Sequence, residues 1–136
     1  MKRVSSADNA QFKALLRLAQ SSRERKERGL SLLDGVHLVG AYVDHVGAPE
    51  RIAISEAGAR NPEIVRLIAG AAPLVLSDSL FARLSTVATP TGIVAAVTTP
   101  RAPALPQALD SCVMLEDIQD PGNLGSILRS TAAAGM

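Results

Sequence analysis

Residues Val113–Met136 read VMLEDIQDPGNLGSILRSTAAAGM. An apolar run, Val113-Met114-Leu115, breaks into an acidic segment with Glu116, Asp117 and Asp120. A Pro-Gly-Asn turn at 121–123 follows, and then a helix of small residues runs to the end. Strand, loop and helix in that order form the first half of a βαβ unit, whose second strand returns parallel to the first. A parallel sheet buried on both faces needs that partner. None follows within the chain, so this stretch is expected to open a domain that continues beyond it.

At about 100° per residue the helix separates into two faces. Leu124, Ile127, Leu128 and Thr131 share one and are expected to pack on the sheet, while Gly122, Ser126, Arg129 and Ala133 line the other. Arg129 is the one charge on the helix. It reads either as a solvated surface arginine or as a phosphate ligand, because a guanidinium forks onto oxyanions and a helix N-terminus favours anions. The loop Gly122-Asn123-Leu124-Gly125 has neither the dinucleotide fingerprint nor the Gly-Lys-Ser/Thr of a P-loop. Three carboxylates before it would repel a nucleoside triphosphate.

Leu115–Gly135, LEDIQDPGNLGSILRSTAAAG, closely resembles the first motif of the SpoU/TrmH branch of SPOUT RNA methyltransferases. That motif reads approximately apolar-E-D-x-x-D-P-x-N-x-G-x-I-x-R-[ST]-A-x-A-x-G, and Thr131 stands where the family usually has Ala. The resemblance implies methyl transfer from S-adenosylmethionine to an RNA, usually at a ribose 2′-hydroxyl. It also implies a knotted SPOUT α/β domain that dimerises near its active site and builds the cofactor pocket from later loops, outside this chain. Matched position by position, Asn123 and Arg129 are the implied catalytic residues on the RNA side. A 2′-hydroxyl is a poor nucleophile that must be oriented and relieved of its proton. Because a guanidinium keeps its charge and forks onto oxyanions, Arg129 suits a phosphate clamp and alkoxide stabiliser better than a base. Asn123 reads equally as a ribose ligand or as a turn residue that caps the helix.

Length and composition set bounds. The 136 residues suit one domain, or a small domain plus a fragment, and the 47% apolar content suffices for a core. Phe12, Tyr42 and Phe81 are the only aromatics, too few for a base-stacking platform. Net charge is +1, but residues 1–30 hold eight Lys/Arg against three acids, so the basic charge sits at the N-terminus. Cys112 stands alone, without a disulfide or zinc partner, and neither a secretory h-region nor a membrane-length apolar run is present. A cytoplasmic protein without membrane association or metal is expected.

Along the chain, residues 1–8 read as an extended lead-in, and Ser5, Ser6, Asp8 and Asn9 offer caps for a helix carrying Phe12, Leu15, Leu16 and Ala19. Lys13 and Arg17 give that helix a basic flank. Ser21–Gly29, SSRERKERG, reads as a solvated helix end or loop. The same family's N-terminal domains, however, open with a similar pattern: an Asn before a helix, a charged Arg-containing stretch, then an apolar strand ending in Glu-Gly. Here Leu30–Leu33 is followed by Asp34-Gly35 instead. The resemblance makes Lys13, Arg23, Arg25, Lys26 and Arg28 the expected RNA-binding residues.

Val36, Val39, Val43 and Val46 continue at helical spacing until Pro49, and His37 and His45 have no third ligand in register. Strands are expected at Arg51–Ser55, Leu74–Leu76 and Ile93–Val97. Helices are expected after Asn61-Pro62 and after Ser77 or Asp78, and Thr89-Pro90-Thr91-Gly92 breaks the second of these. The turn before Ile93 also resembles the family's (S/T)-P-x-G-I segment. Alternating strands and helices argue for an α/β sandwich.

The expected organisation has three parts. Residues 1–98 form a three-layer α/β/α, ribosomal-protein-like RNA substrate-binding domain. A Pro-rich linker follows at 99–108, and residues 109–136 are the incomplete start of a SPOUT domain. The expected partner is RNA, ribosomal RNA before transfer RNA, with a homodimer when the protein is complete. Two rivals remain open, a non-catalytic RNA-binding module and a structural domain that pairs through strand 113–115.

Overall fold

The computed structural model describes residues 2–87, 89–101 and 111–136. The chain divides into two compact units, Met1–Pro100 and Arg101–Met136.

The first unit is built on a five-stranded sheet of β1 (Lys2–Val4), β2 (Leu30–Asp34), β3 (Arg51–Ser55), β4 (Leu74–Leu76) and β5 (Ile93–Thr98). Their spatial order is β1-β4-β3-β5-β2. β1, β4 and β3 run parallel, whereas β5 is antiparallel to both β3 and β2. Strands covered on both faces need continuous apolar runs. Ile93–Val97 is accordingly buried at every position, and so are Leu74–Leu76.

Helices α1 (Ala10–Gln20), α2 (Ser22–Arg28), α3 (Val36–His45), α4 (Pro62–Leu67) and α5 (Asp78–Leu84) connect the strands. On one face Phe12, Leu15 and Leu18 of α1 and Leu80, Phe81 and Leu84 of α5 pack with Ala53, Leu76, Val94 and Ala96. On the other, Val36 and Val39 of α3 and Ile64 of α4 pack with Ile52, Ile54, Val75 and Ile93. Alternation along each strand feeds both cores, giving the expected three α/β/α layers. Asn9 caps α1, its Oδ1 accepting from Gln11 N and Phe12 N, and Asn61 caps α4 with Pro62 in the first turn.

The N-terminus differs from expectation. Lys2–Val4 is an edge strand rather than a lead-in, aligned with Leu74–Leu76, and Val4 is buried between α1 and α5. Ser21–Gly29 forms a helix of its own. Ser21 Oγ accepts from Glu24 N, Gly29 closes the helix at φ 62°, and Arg23–Glu27 and Glu24–Arg28 pair one turn apart. α3 stops at His45 rather than at Pro49, because Gly47 at φ 144° turns the chain away.

One close approach locks the turn after β3. Ser55 N donates to Gly92 O at 3.0 Å, and Ser55 Oγ accepts from Gly58 N at 2.8 Å. Gly58 lies against the Gly92 backbone so closely that a Cβ would stand 2.3 Å from the carbonyl oxygen, and Gly92 itself takes φ +97°. Glycine is required on both sides of this contact.

In the second unit Val113–Leu115 is not a strand, contrary to expectation. Residues 111–120 have no regular structure and are exposed. A strand needs a neighbour for its backbone N–H and C=O groups, and no second strand exists among the described residues of this unit. Helix α6 (Pro121–Ala133) begins at the proline, so Pro-Gly-Asn is its first turn and not a preceding loop. Its apolar side is not packed on a sheet as expected, since Leu124 is 38% and Leu128 56% exposed. The expected linker at 99–108 lies largely outside the described residues.

Candidate nucleic-acid interface

The five cations expected to hold RNA all lie on α1 and α2, and their surroundings differ. Lys13 Nζ meets Asp8 Oδ1 at 2.7 Å, and this hydrogen bond, reinforced by the lysine's charge, lowers the Asp8 carboxyl below its ordinary value. Arg23 Nε donates to Glu27 at 2.7 Å, and Arg28 reaches Glu24 at 2.6 Å, which also lies 4.0 Å from Arg17. Arg25 turns inward: its Nη1 donates to Leu18 O at 2.6 Å and Ala19 O at 3.4 Å, satisfying carbonyls at the end of α1. Lys26 is exposed and makes no salt bridge among the described residues. Exposed ion pairs are weak and can yield to a phosphate. The basic run nonetheless presents less free positive charge than its composition suggests, and Arg25 has a structural task.

Asp34, which stands where the resembled family has Glu, ties the end of β2 to the segment after α5. Its Oδ2 accepts from Ser85 Oγ at 2.6 Å and Thr86 N at 2.8 Å, while Oδ1 is buried without a partner among the described residues. Beside it Gly35 adopts φ 110°, and Val36 N at the start of α3 donates to Thr91 Oγ1 at 3.2 Å. A backbone N–H that no side chain of its own segment caps is thus satisfied from the loop before β5.

In the second unit Asp120 is the N-cap of α6, its Oδ1 accepting from Gly122 N at 2.7 Å. A carboxylate is well placed at a helix N-terminus. Asn123 therefore does not cap the helix; it sits exposed in the first turn. Sequence reading missed the Asp120 role, although the Asp-Pro pair is a helix-start signal. Arg129 is exposed and makes no salt bridge among the described residues. Six positions apart on one helix, Asn123 and Arg129 are about 9 Å apart along the axis and about 120° around it. α6 displays both to solvent without bringing them together. Upstream, Asp117 holds φ 53° and its Oδ1 accepts from Gln119 Nε2.

No described side chain of residues 111–136 is buried. Among the described residues no group of three or more His, Cys, Asp or Glu could hold a metal ion, and no helix is long and apolar enough to cross a membrane. His37 and His45 are both exposed.

Residues 9–95, which span the α/β/α sandwich from the cap of α1 into β5, match the MRM3-like substrate binding domain. The chain belongs to this family. Among curated proteins, the MRM3-like chain is 33% identical over 139 residues to an uncharacterized tRNA/rRNA methyltransferase of Synechocystis, covering 98% of this chain and 50% of that protein. It is 29% identical over 136 residues to the 23S rRNA (guanosine(2553)-2′-O)-methyltransferase RlmP of Bacillus subtilis, covering 100% and 52%. The chain thus spans about half the length of the curated relatives it matches.

Among solved structures, an RNA 2′-O ribose methyltransferase superposes with a TM-score of 0.72 at 28% identity, over 98% of this chain and 52% of the other. The SpoU methyltransferase AviRb of Streptomyces viridochromogenes, solved in complex with AdoMet, shares the fold with a TM-score of 0.63 at 23% identity, over 93% and 49%.

Proposed function

We propose that this chain is part of an S-adenosylmethionine-dependent methyltransferase that acts on a ribose 2′-hydroxyl of ribosomal RNA. In this reading the α/β/α unit grips the RNA and residues 111–136 supply the first segment of the catalytic domain. The observation that carries it is the extent of the similarity. Alignment with RNA methyltransferases runs over 98% and 100% of the chain, through Asn123 and Arg129 as well as through the substrate domain. RlmP, whose name specifies 2′-O transfer to 23S rRNA, favours ribosomal over transfer RNA.

Arg129 clamps the phosphate next to the target ribose and stabilises the oxyanion that develops as the hydroxyl loses its proton. Asn123, free of capping duty, hydrogen-bonds the ribose and orients the hydroxyl. The two lie on different sides of α6, so the RNA must reach around the helix or a second element must complete the site. The cofactor pocket is assigned to the half of the relatives' length that this chain does not span, within a cytoplasmic homodimer.

The test is methyl transfer from labelled S-adenosylmethionine to ribosomal RNA by the protein of the complete reading frame. Product would be read as alkali-resistant 2′-O-methyl dinucleotides. Arg129→Ala is expected to lower kcat by about 100-fold or more, as loss of a charge-stabilising donor does. Unchanged turnover would remove Arg129 from the mechanism, and alkali-sensitive product would remove the ribose as acceptor.

A further inference from the structure

With Arg23 and Arg28 paired to carboxylates of α2 itself and Arg25 turned onto α1, the question becomes where unpaired positive charge gathers. It does so on the opposite edge of the sheet. Arg3 lies in β1 in register with Val75 of β4, which is in turn in register with Ile54 of β3. Paired residues of parallel strands share a face. Val75 and Ile54 belong to the core under α3 and α4, so Arg3 emerges on that face, where the sheet ends.

The 3₁₀ turn Gly58–Arg60 covers the same corner. Arg3, Arg60, Glu56, Ala59 and Val75 line one open cleft of about 430 Å³. Both arginines are exposed, and neither has a carboxylate oxygen within 4.0 Å among the described residues. Glu56 lines the same cleft and lowers its net charge without forming an ion pair with either arginine.

Two guanidinium groups facing one cleft repel each other unless an anion lies between them. Their supports are rigid. The 3₁₀ turn is held by Gly58 N on Ser55 Oγ, by Ala57 N donating to Asp78 Oδ1 at 3.3 Å, and by the close approach of Gly58 to Gly92. β1 is held along its length by β4. The backbone that carries each arginine is thus fixed, which lowers part of the ordering cost of binding.

We propose that the Arg3–Arg60 cleft is a binding site for one phosphodiester group of the RNA backbone. The inference deepens the proposed RNA-binding function and rests on it for the identity of the anion. With Glu56 included, the lining carries a single net positive charge. That charge matches a singly ionised phosphodiester better than a terminal phosphate or a triphosphate. Such binding reads no base and contributes position rather than sequence.

The test uses the 136-residue chain and its R3Q and R60Q variants, with R66Q as control, since Arg66 is exposed on α4 but does not line the cleft. Dimethyl phosphate, a phosphodiester without base or sugar, is titrated while the arginine Nε–H resonances are followed. Shifts confined to Arg3 and Arg60 support the site; equal shifts at Arg66, or none, overturn it. In parallel, ribosomal RNA binding is measured against salt. R3Q and R60Q should each reduce the slope of log K against log[salt] by about 0.7–0.9, the change expected when one phosphate is no longer neutralised, and R66Q should not. RNA binding with an unaltered slope in R3Q and R60Q overturns the cleft and leaves the RNA-binding function standing. Dimethyl phosphate binding without any RNA binding overturns that function, and with it the assignment of the anion to RNA.

Discussion

Gly58→Ala isolates a single feature of the fold, the backbone contact that fixes the turn after β3. Gly58 has no left-handed φ, so alanine meets no conformational penalty there; the entire effect is steric. The added Cβ would stand 2.3 Å from Gly92 O, 3.0 Å from its carbonyl carbon and 3.2 Å from its Cα. All three are backbone atoms of the loop entering β5, and none can rotate away. Overpacking a tight interior costs about 1–3 kcal/mol, and the lack of any movable neighbour puts this site at the upper end. Separating the two segments also strains the bond from Gly58 N to Ser55 Oγ and that from Ser55 N to Gly92 O, worth about 1 kcal/mol together at the least. A loss of about 3–4 kcal/mol corresponds to a Tm lower by about 12–30 °C in a domain of this size.

The matched control is Gly40→Ala in α3. Its Cβ would find only Leu67 Cδ1 at 3.9 Å, an ordinary contact, and the helix should gain about 0.5–1 kcal/mol. Thermal unfolding followed by far-UV circular dichroism compares the two variants directly. A Tm for Gly58→Ala within about 2 °C of the parent, less than 1 kcal/mol is expected to produce, would refute the reasoning. So would a Gly40→Ala loss of equal size.

Other substitutions separate structural from surface roles. Arg25→Gln should cost about 1–2 kcal/mol in urea denaturation, because its guanidinium satisfies the Leu18 and Ala19 carbonyls. Arg23→Gln, which removes only an exposed pair, should stay within about 0.5 kcal/mol of the parent. Asp34→Ala should cost about 1–3 kcal/mol and speed hydrogen exchange at Thr86 N, whereas Asp34→Asn, which keeps an acceptor for Ser85 and Thr86, should preserve most of that protection. Since Asp8 titrates lower in the folded chain than its ordinary 3.8, its contribution is present above that value and fades as pH falls through the folded one. Asp8→Asn should flatten this part of the acid limb, and a carboxyl-carbon titration should place Asp8 below its ordinary 3.8.

The central strands were legible because each is a short apolar run bounded by a breaker. β3 and β4 occupy Arg51–Ser55 and Leu74–Leu76 as read from sequence, and Asn61-Pro62 opens α4 as its chemistry dictates. β1 was not legible, since a three-residue edge strand with two cations has almost no apolar signal; only pairing with β4 makes it a strand. α2 lacks apolar residues altogether, and its helix rests on a serine cap, a glycine stop and ion pairs one turn apart. The opposite failure occurred at Val113–Leu115. Periodicity there states a capacity to pair, but a ladder needs a second strand.

The same distinction governs the candidate site. A count of cations marks α2 as the basic element, yet Glu24 and Glu27 lie one turn from Arg28 and Arg23 and offset them, and Arg25 faces α1. Arg3 and Arg60, 57 positions apart in sequence, carry no local signal and meet only because a parallel register sets β1 beside β4 and a glycine contact fixes the turn after β3. What attracts a polyanion is charge without a nearby counter-charge. Composition sums charges, whereas register and packing decide which remain unpaired, so in the proposed reading the Arg3–Arg60 edge competes with α2 for the RNA despite holding fewer cations.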